Sequence, residues 1–260
     1  MSLETPPLLR EKNALVTGAS KGIGKSIALA LASAGANVAV NYNSDRDGAE
    51  AVAAEIQKMG RRAMAIHADV GVAADVERMF TAVFEQFSPL TILVNNAGIQ
   101  TWKPMLDLLE SEWDRVIAVN LKGCFLCTQT AARHMRDLHT PGSIINIGSG
   151  CNKVAFPNLS NYTASKGGIE MFTKVAAAEL GKLNIRVNCA APGAIEIERT
   201  KLEAGDYAGT WARLTPLARI GMPDDVARVV VFLASDAAAF VTGQTIWIDG
   251  GLFSQPAWPY

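Results

Sequence analysis

The sequence lacks the features that mark membrane, secreted and nucleic-acid-binding proteins. It contains no apolar run long enough to cross a bilayer. Residues 1–13, MSLETPPLLREKN, have no basic region followed by an apolar one, so we expect no signal peptide. The net charge is −1 and the basic residues form no run, which argues against binding to nucleic acid or recruitment to an anionic membrane.

Patterns for metal binding and redox chemistry are equally scarce. The 260 residues include four cysteines and three histidines, and the histidines show no zinc-ligand spacing. Cys124 and Cys127 form a C-x-x-C pair, but they lie in an apolar, helix-like segment and no second pair follows. We interpret both as small buried side chains, predict no metal site, and expect a protein of the reducing cytoplasm.

Short apolar runs alternate with amphipathic segments along most of the chain. Hydrophobic residues make up 49% and charged residues 19%, as in a globular protein with a large core. Runs such as NALVT and SIINIG are continuously apolar, which is typical of parallel strands that are buried on both faces by intervening helices. The pattern predicts one α/β domain over residues 1–260, a Rossmann-like, doubly wound parallel sheet of about seven strands with helices on both faces.

Three local predictions accompany this fold. Between residues 194 and 222 the periodicity fades, which predicts a loop or a pair of short helices that covers the site. Residues 111–138 are predicted to form one helix. Serine is a good N-cap, and we expect Ser160 to cap the helix that carries Tyr162 and Lys166.

A glycine-rich turn follows the first predicted strand. Gly18, Gly22 and Gly24 of GASKGIG stand between that strand and a helix. Glycine lets the backbone turn tightly, and the free N–H groups and dipole of a helix N-terminus favour a phosphate. Because ligands of doubly wound sheets bind beyond the carboxyl ends of the strands, this turn predicts a nucleotide site.

The end of the second predicted strand bears on the choice of nucleotide. An acid at this place commonly accepts a hydrogen bond from the ribose 2′ hydroxyl of NAD. Here residues 40–44 are VNYNS, with no acid before Asp45, while Lys21 and Arg46 supply positive charge. We therefore expect NADP(H) to be preferred and NAD(H) to be possible. In the alternative, both cations are merely solvated and both cofactors bind.

Tyr162 and Lys166 are four residues apart, so a helix puts them on one face. Two unit charges about 4 Å apart attract by roughly 4 kcal/mol at an effective dielectric of about 20. A phenol beside an ammonium therefore loses its proton more readily, and a tyrosine in that state is a general acid/base. Alone, the Y-x-x-x-K pattern more often marks an exposed helix face.

Seven motifs follow the order and spacing of one family. They are GASKGIG, Asp69-Val70, Asn95-Asn96-Ala97-Gly98, Asn120 in VNLKG, Ser149, Tyr162-x-x-x-Lys166 and Pro192-Gly193. Over roughly residues 10–253 the chain resembles the short-chain dehydrogenase/reductase family. Within that family it looks most similar to the bacterial glucose 1-dehydrogenases, with the 3-oxoacyl-acyl-carrier-protein reductases as near relatives.

The resemblance implies an NAD(P)(H)-dependent oxidoreductase with an NADP(H) preference. Such an enzyme transfers a hydride between nicotinamide and a secondary alcohol or carbonyl compound, here a sugar, a polyol or a small ketone. Two alternatives stay open. One is a 3-oxoacyl-thioester reductase, and the other is a catalytically idle NADP-binding protein with a regulatory or scaffold role.

The same resemblance implies roles for four catalytic residues. Tyr162 exchanges the proton of the substrate oxygen, and Ser149 orients that oxygen. Lys166 promotes ionisation of the phenol and binds the hydroxyls of the nicotinamide ribose. Asn120 holds a water that links Lys166 to solvent. The alternative for Asn120 is a helix-kinking side chain that is bonded to the backbone.

The cofactor contacts implied by the resemblance lie in loops at the strand ends. They are Gly18, Ser20, Lys21, Gly22, Ile23, Gly24, Asn43, Asp69, Val70, Asn95, Ala97, Gly98, Pro192, Gly193 and Ile195, together with Tyr162 and Lys166. Asp69 would accept from the adenine amine, unless it is an exposed turn aspartate. Ile197 stands where relatives usually have a threonine, so a carboxamide contact is missing or comes from Thr200.

Substrate contacts are expected from Gln100, Trp102, Cys151, Lys153, Phe156 and the loop 196–222. Glu196 and Glu198 either add negative charge to the mouth of the site or are solvated loop acids. The aromatic tail LFSQPAWPY is expected to pack at a subunit interface. The resemblance suggests a homotetramer that uses the helices of Asn120 and Tyr162 as one interface.

Overall fold

Seven parallel strands form one sheet in the computed structural model, which describes residues 8–198, 200 and 205–254. The strands are β1 (Asn13–Val16), β2 (Asn37–Tyr42), β3 (Ala63–His67), β4 (Ile92–Asn95), β5 (Gly142–Ile147), β6 (Ile185–Pro192) and β7 (Thr245–Ile248). Hydrogen bonding arranges them in the order β3-β2-β1-β4-β5-β6-β7, and each neighbouring pair is parallel. The predicted α/β, Rossmann-like sheet is confirmed.

Helices connect the strands and cover both faces of the sheet. They are α1 (Gly22–Ser33), α2 (Arg46–Lys58), α3 (Ala73–Phe87), α4 (Glu110–Ile117), α5 (Gly123–Asp137), α6 (Ser160–Leu180), α7 (Tyr207–Leu214) and α8 (Pro223–Ala234). One face packs under α1, α2 and α8, where Ile27 and Val230 are fully buried. The other packs under α3, α5 and α6, where Phe80 and Met135 are fully buried.

The direction of winding reverses between β1 and β4. From β1 the chain proceeds outward through β2 and β3, and it then returns to pair β4 with the other edge of β1. The loops after β1 and β4 therefore leave the sheet side by side, at the switch point where doubly wound sheets bind ligands. These loops touch, because a Cβ added to Gly18 would lie 2.9 Å from the Cα of Ala97.

Residues 111–138 do not form the single helix that their pattern predicts. α4 ends at Ile117, and Ala118–Lys122 form a π-helical turn before α5 begins at Gly123. The N–H of Gly123 donates to the C=O of Ala118, five residues earlier. Asn120 lies at the centre of this turn, and π turns within helices are frequent at functional sites.

The start of α6 also differs from the prediction. Ser160 is the first helical residue, and Leu159 precedes it as the N-cap. The Ser160 hydroxyl has no hydrogen-bond partner within the described part of the chain. Instead, the side-chain oxygen of Asn161 accepts from the backbone N–H of Tyr162 at 2.8 Å. The prediction of Ser160 as the cap is therefore wrong, while Tyr162 and Lys166 still lie one turn apart on α6.

All four cysteines are unpaired and buried. Burial raises the pKa of the Cys124 thiol to about 12 and also raises the pKa of Cys127. The C-x-x-C pair thus consists of neutral thiols in the core, as predicted. Among residues 8–198, 200 and 205–254, no helix is long and apolar enough to cross a membrane, and no three His, Cys, Asp or Glu side chains are placed to hold a metal.

The connection between β6 and α8 contains one described helix, α7. The carboxylate of Asp206 caps it by accepting from the N–H of Gly209 at 2.9 Å. At the base of the loop, Ile195 forms a parallel bridge with Gly221. Residues 199 and 201–204 of this predicted loop, residues 255–260 of the aromatic tail and residues 1–7 lie outside the described residues.

Candidate active site

Hydrogen bonds tie the loop after β1 to the loop after β4. The hydroxyl oxygen of Thr17 accepts from the backbone N–H groups of Asn96 and Ala97, both at 3.0 Å. The side-chain amide of Asn96 donates to the backbone carbonyls of Thr17 and Gly18, both at 2.9 Å. These four bonds fix the position of the predicted cofactor residues Gly18 and Ala97 relative to each other.

Asn41, at the end of β2, clamps the glycine turn from the other side. Its side-chain oxygen accepts from the N–H of Gly18 at 3.1 Å, and its amide donates to the carbonyls of Ile66 and Ala68 at 3.3 and 3.1 Å. The residue is 1% exposed. Sequence reasoning missed this role. The available signal was an uncharged polar residue in an apolar strand next to the glycine turn.

The glycine turn forms a cradle of backbone groups at the start of α1. The helix has no side-chain cap, so the N–H groups of its first turn are available to an anion. Gly18 and Gly22 have φ angles of +61° and +56°, which residues with a Cβ rarely adopt. A Cβ on Gly24 would collide with the carbonyl of Gly18 and lie 2.5 Å from the amide nitrogen of Asn96. The cradle therefore fits a pyrophosphate, and it carries the other predicted contacts Ser20, Lys21 and Ile23.

The charges near the end of β2 are partly paired. Lys21 is 70% exposed along its side chain, and its Nζ lies 3.9 Å from a carboxylate oxygen of Asp45. Arg46 makes a closer pair with Glu50 at 2.7 Å along α2. Of the two predicted cations, Lys21 is therefore the more available to a ribose 2′-phosphate, in competition with Asp45. Asn43, the predicted contact in this loop, is exposed.

Asp69, after β3, has structural partners of its own. One carboxylate oxygen accepts from the N–H of Gly71 at 2.9 Å, and the other pairs with the guanidinium of Arg115 on α4 at 2.8 Å. Each oxygen keeps a lone pair, so the predicted contact with an adenine amine stays compatible with this geometry. Val70 is 5% exposed and packs against Gly123 at the start of α5.

The side chains of Asn95 and Ile195, like that of Val70, lie in the core. Asn95 is 7% exposed, and its amide donates to the Thr128 hydroxyl and the Asn146 side-chain oxygen at 2.9 and 2.8 Å. Ile195 is 5% exposed and packs in the core beneath α1 and α8. Both side chains turn into the layers beneath the helices, which leaves the predicted cofactor contacts of Asn95 and Ile195 as predictions about their backbone groups. Contacts from either position must come from the backbone.

Lys166 is a buried cation at the junction of α6 and β5. It is 3% exposed, and its Nζ donates to the C=O of Ile147 at 2.7 Å. The same nitrogen lies 5.5 Å from the centre of the Tyr162 ring. A Cβ added to Gly98 would lie 3.7 Å from it, so the space beside the ammonium is bordered by bare backbone. This space fits ribose hydroxyls, since an ammonium has three N–H groups to donate.

Ser149 is presented by the strand to which Lys166 is bonded. It lies two residues beyond Ile147 with an extended backbone, φ −167°. Its hydroxyl oxygen accepts from the N–H of Cys151 at 3.2 Å, and its own N–H donates to the side-chain oxygen of Asn152 at 3.1 Å. These bonds orient the hydroxyl group and use only its oxygen, so its proton can be donated to a substrate oxygen.

Asn120 joins the loop after β4 to α6. Its side-chain oxygen accepts from the N–H of Ile99 at 2.8 Å, and its amide donates to the Ile99 carbonyl and the Ser165 hydroxyl at 2.9 and 3.0 Å. Ser165 donates in turn to the C=O of Tyr162 at 2.7 Å. The Asn120 amide is thus bonded to protein groups, as in the alternative interpretation, and it has no N–H left for a relay water. The role of Ser165 was not predicted, although it stands one turn from Tyr162.

The predicted nicotinamide end is built from the loop after β6. Pro192 ends the strand, and Gly193 packs against the loop after β7, where a Cβ would lie 2.7 Å from the Cβ of Asp249. The Thr200 hydroxyl accepts from the N–H of Ile197 and donates to its C=O, both at 2.9 Å. The Thr200 hydroxyl therefore donates its proton within the loop. It has no second proton to donate to the carboxamide of the nicotinamide.

The predicted substrate residues differ in their surroundings. Trp102 is 64% exposed, whereas Cys151 is 7% exposed beneath Ser149. Lys153 turns its ammonium toward Trp247 of β7, with 5.4 Å between Nζ and the ring centre. Gln100 is half-buried in the loop after β4.

Phe156 is the predicted substrate residue with the most defined contacts. Its ring lies 6.4 Å from that of Trp211 on α7 and 5.9 Å from that of Phe253 after β7, measured between centres. Trp211 was not singled out from the sequence, because no motif marks it. Phe253 was named only as part of the aromatic tail expected at a subunit interface, whereas its ring packs against Phe156 and Gly150 of its own chain. Of the two loop acids, Glu198 is exposed near the glycine turn, where a Cβ on Gly22 would lie 3.7 Å from its carboxylate.

Comparisons with known proteins agree with this geometry. Residues 18–253 match the protein family described as Enoyl-(Acyl carrier protein) reductase. The chain is 46% identical to the 3-oxoacyl-[acyl-carrier-protein] reductase FabG of Staphylococcus aureus (strain Mu50). The 242 aligned residues cover 93% of this chain and 98% of that protein.

Solved structures resemble the chain over nearly its full length. A short-chain type dehydrogenase/reductase from Mycobacterium marinum superposes with a TM-score of 0.89 and 39% identity, over 94% of this chain and 96% of that one. A gluconate 5-dehydrogenase from Burkholderia cenocepacia in complex with NADP and tartrate gives a TM-score of 0.90 and 35% identity, over 96% and 98% of the two chains.

Gly24→Ala is expected to weaken NADPH binding at least about tenfold, because the new methyl group would displace the Gly18 carbonyl or the Asn96 amide from the cradle. Gly181→Ala is the matched control, since a Cβ there meets nothing within 4 Å. The measurement is a fluorescence titration with NADPH, with circular dichroism to confirm folding. Equal affinity of Gly24→Ala and wild type would contradict the assignment of the cradle.

Proposed function

Because the chain belongs to the short-chain dehydrogenase/reductase family, we propose that it is an NADP(H)-preferring enzyme that interconverts a secondary alcohol and a carbonyl compound. The observation that carries this proposal is the arrangement around Lys166. Its buried Nζ is bonded to the end of the strand that presents Ser149 and lies 5.5 Å from the centre of the Tyr162 ring. The four unpaired thiols support a reducing, cytoplasmic location.

The proposed chemistry divides between cofactor and protein. NADP(H), held at the glycine cradle and beside Lys166, supplies or accepts the hydride. Ser149 donates its free proton to the substrate oxygen and so orients the carbonyl. Tyr162 then delivers a proton to that oxygen during reduction, or removes one from the alcohol during oxidation. The ammonium of Lys166, 5.5 Å from the centre of the phenol ring, attracts the negative charge that forms on the phenol oxygen when its proton is transferred.

Two other functions are weighed against this one. A 3-oxoacyl-thioester reductase is supported by the 46% identity to such an enzyme. A catalytically idle NADP-binding protein would not need Asn120, Ser149, Tyr162 and Lys166 together. Turnover of a panel of ketones, sugars and a 3-oxoacyl thioester, followed by NADPH absorbance, separates the three. Tight NADPH binding without any turnover would favour the idle protein.

Tyr162→Phe is expected to lower kcat by about 10²–10⁴-fold, because it removes the proton donor and leaves the ring. The Kd for NADPH should stay within about threefold of wild type, since the ring and Lys166 remain. Both are measured with NADPH, by stopped-flow absorbance and fluorescence titration respectively. A variant that keeps most of kcat with NADPH bound would refute the role of the phenol.

The NADP(H) preference is supported by the absence of an acid in residues 40–44 and by the exposed ammonium of Lys21. Asp45 opposes it, because its carboxylate lies 3.9 Å from that ammonium. A structural relative, the gluconate 5-dehydrogenase, has NADP bound. We propose that Lys21 selects the 2′-phosphate despite this competition.

Lys21→Ala should lower kcat/KM for NADPH about tenfold and change the value for NADH little, because only NADPH carries the 2′-phosphate. Lys25→Ala is the control. Lys25 lies on α1, one turn beyond Lys21, and its ammonium already pairs with Glu55 of α2. Steady-state kinetics with both cofactors provide the measurement. A wild-type preference for NADH, or an equal loss with both cofactors, would overturn this assignment.

We propose a homotetramer in which α5 and α6 form one interface. Three apolar side chains on these helices, Phe125, Met171 and Val175, are 41%, 59% and 52% exposed. Apolar groups at this spacing on adjoining helices favour burial against a second copy of the chain.

Met171→Glu is expected to break the tetramer, because a carboxylate would be buried without a partner. Met59→Glu, on a residue 41% exposed at the end of α2, should leave the assembly intact. Light scattering after size-exclusion chromatography reports the mass, and wild type should give four chains of 27.7 kDa. A monomeric wild type would exclude the proposed assembly.

A further inference from the structure

We propose that Phe156, Trp211 and Phe253 form an aromatic wall of the substrate site. We further propose that the substrate is an uncharged ketone, or the corresponding alcohol, with an aromatic or alicyclic ring next to the reacting carbon. This inference rests on the proposed function and narrows its substrate class.

The wall begins one residue beyond the catalytic serine. A Cβ added to Gly150 would collide with the ring of Phe253 and lie 2.6 Å from its Cζ. The Phe253 ring therefore packs on the backbone that follows Ser149, and only glycine at position 150 allows this approach. Because Gly150 follows Ser149 directly, we place the carbon atoms next to a substrate oxygen bound at Ser149 beside this ring.

Four rings continue outward from that point. Phe253 meets Phe156 edge to face, at 5.9 Å between centres and an angle of 84°. Phe156 then meets Trp211 at 6.4 Å, and Trp211 meets Tyr207 at 6.1 Å. These distances lie in the range of favourable aromatic pairs. Each ring is half-buried, so each keeps apolar surface for a further partner.

Three chain segments contribute the wall, and all three follow carboxyl ends of strands. Phe156 comes after β5, Trp211 after β6 and Phe253 after β7. The carboxylate of Asp249 fixes the last segment by accepting from the N–H groups of Gly251 and Phe253 at 2.9 and 3.1 Å. The ring of Phe253 is therefore held in place by its own backbone, which lowers the entropic cost of stacking a ligand on it.

The chemistry of the wall favours a ring over a sugar, an acid or a linear acyl chain. The faces of Phe156 and Phe253 offer no hydrogen bonds to replace those that sugar hydroxyls lose on leaving water. Lys153, three residues before Phe156, directs its ammonium toward Trp247 at 5.4 Å and so does not serve a carboxylate here. A linear chain has no flat face to pair with the rings, whereas an aromatic group does.

The test compares two ketones of equal carbon number, acetophenone and 2-octanone, with NADPH and the full-length wild-type enzyme. We expect kcat/KM for acetophenone to exceed that for 2-octanone by about tenfold or more. Phe253→Leu and Trp211→Leu should each lower kcat/KM for acetophenone about tenfold. Each should change kcat/KM for 2-octanone by less than about threefold. The Kd for NADPH should not change.

Phe240→Leu serves as the matched control, because Phe240 is 104% exposed, and it should leave both ketones unaffected. If Phe253→Leu and Trp211→Leu lowered kcat/KM equally for both ketones, the two rings would have a structural role only, and the proposal of an aromatic wall would be wrong. Turnover of 2-octanone, glucose or a 3-oxoacyl thioester in preference to acetophenone would also overturn it, while leaving the proposed oxidoreductase function intact. Failure to turn over any of these carbonyl compounds would refute both proposals.

Discussion

The burial of one ammonium group constrains the geometry of the whole candidate site. A charge removed from water costs several kcal/mol unless hydrogen bonds replace its hydration, and Lys166 is 3% exposed. Its bond to the C=O of Ile147, at 2.7 Å, both stabilises the charge and holds α6 against the end of β5. Ser149 follows that strand, and Tyr162 precedes Lys166 by one helical turn. The position of the Lys166 Nζ therefore fixes where the Ser149 hydroxyl, the Tyr162 phenol and the ammonium lie relative to one another. The Asn120–Ser165 bond, at 3.0 Å, secures the same helix from the side of the loop after β4.

The nucleotide half of the site depends on neutral groups instead. Thr17, Asn41 and Asn96 hold the glycine turn by hydrogen bonds of 2.9 to 3.1 Å to backbone atoms. Such short-range bonds are little affected by salt, whereas the Lys21 side chain is 70% exposed, so salt screens the attraction of its charge for a phosphate. In the proposed function, the pyrophosphate would be held by the rigid shape of the glycine turn, while the choice between NADP and NAD would rest on the exposed charge of Lys21. Affinity and selectivity for the cofactor would then have different physical origins.

Much of the fold was predictable because continuous apolar runs and helical periodicity are local properties. The glycine turn, Ser149, Tyr162 and Lys166 could be identified for the same reason, since each stands at a strand end or at a fixed helical spacing. The π turn at Asn120 could not be predicted. Its five residues are too few for the spacing of their apolar side chains to differ visibly from that in an α-helix. The inward turn of Asn95 was missed because a polar residue at a strand end can face either side of the sheet. The contact of Phe253 with Gly150 joins segments about a hundred residues apart, and no local pattern encodes it.

The aromatic wall is supported differently from the catalytic residues and the glycine turn. Lys166 is held by a hydrogen bond to the end of β5, and the glycine turn by one to Asn41 near the end of β2; both strands belong to the central sheet. The aromatic wall joins segments after β5, β6 and β7 chiefly through ring contacts, and α7 has no buried residue of its own. Ring contacts tolerate exchange of side chains better than a buried ion and its single acceptor do. If the proposed wall and catalytic residues act as described, substitution in these outer segments would change specificity while proton transfer is preserved, and one scaffold could then serve relatives with different named substrates.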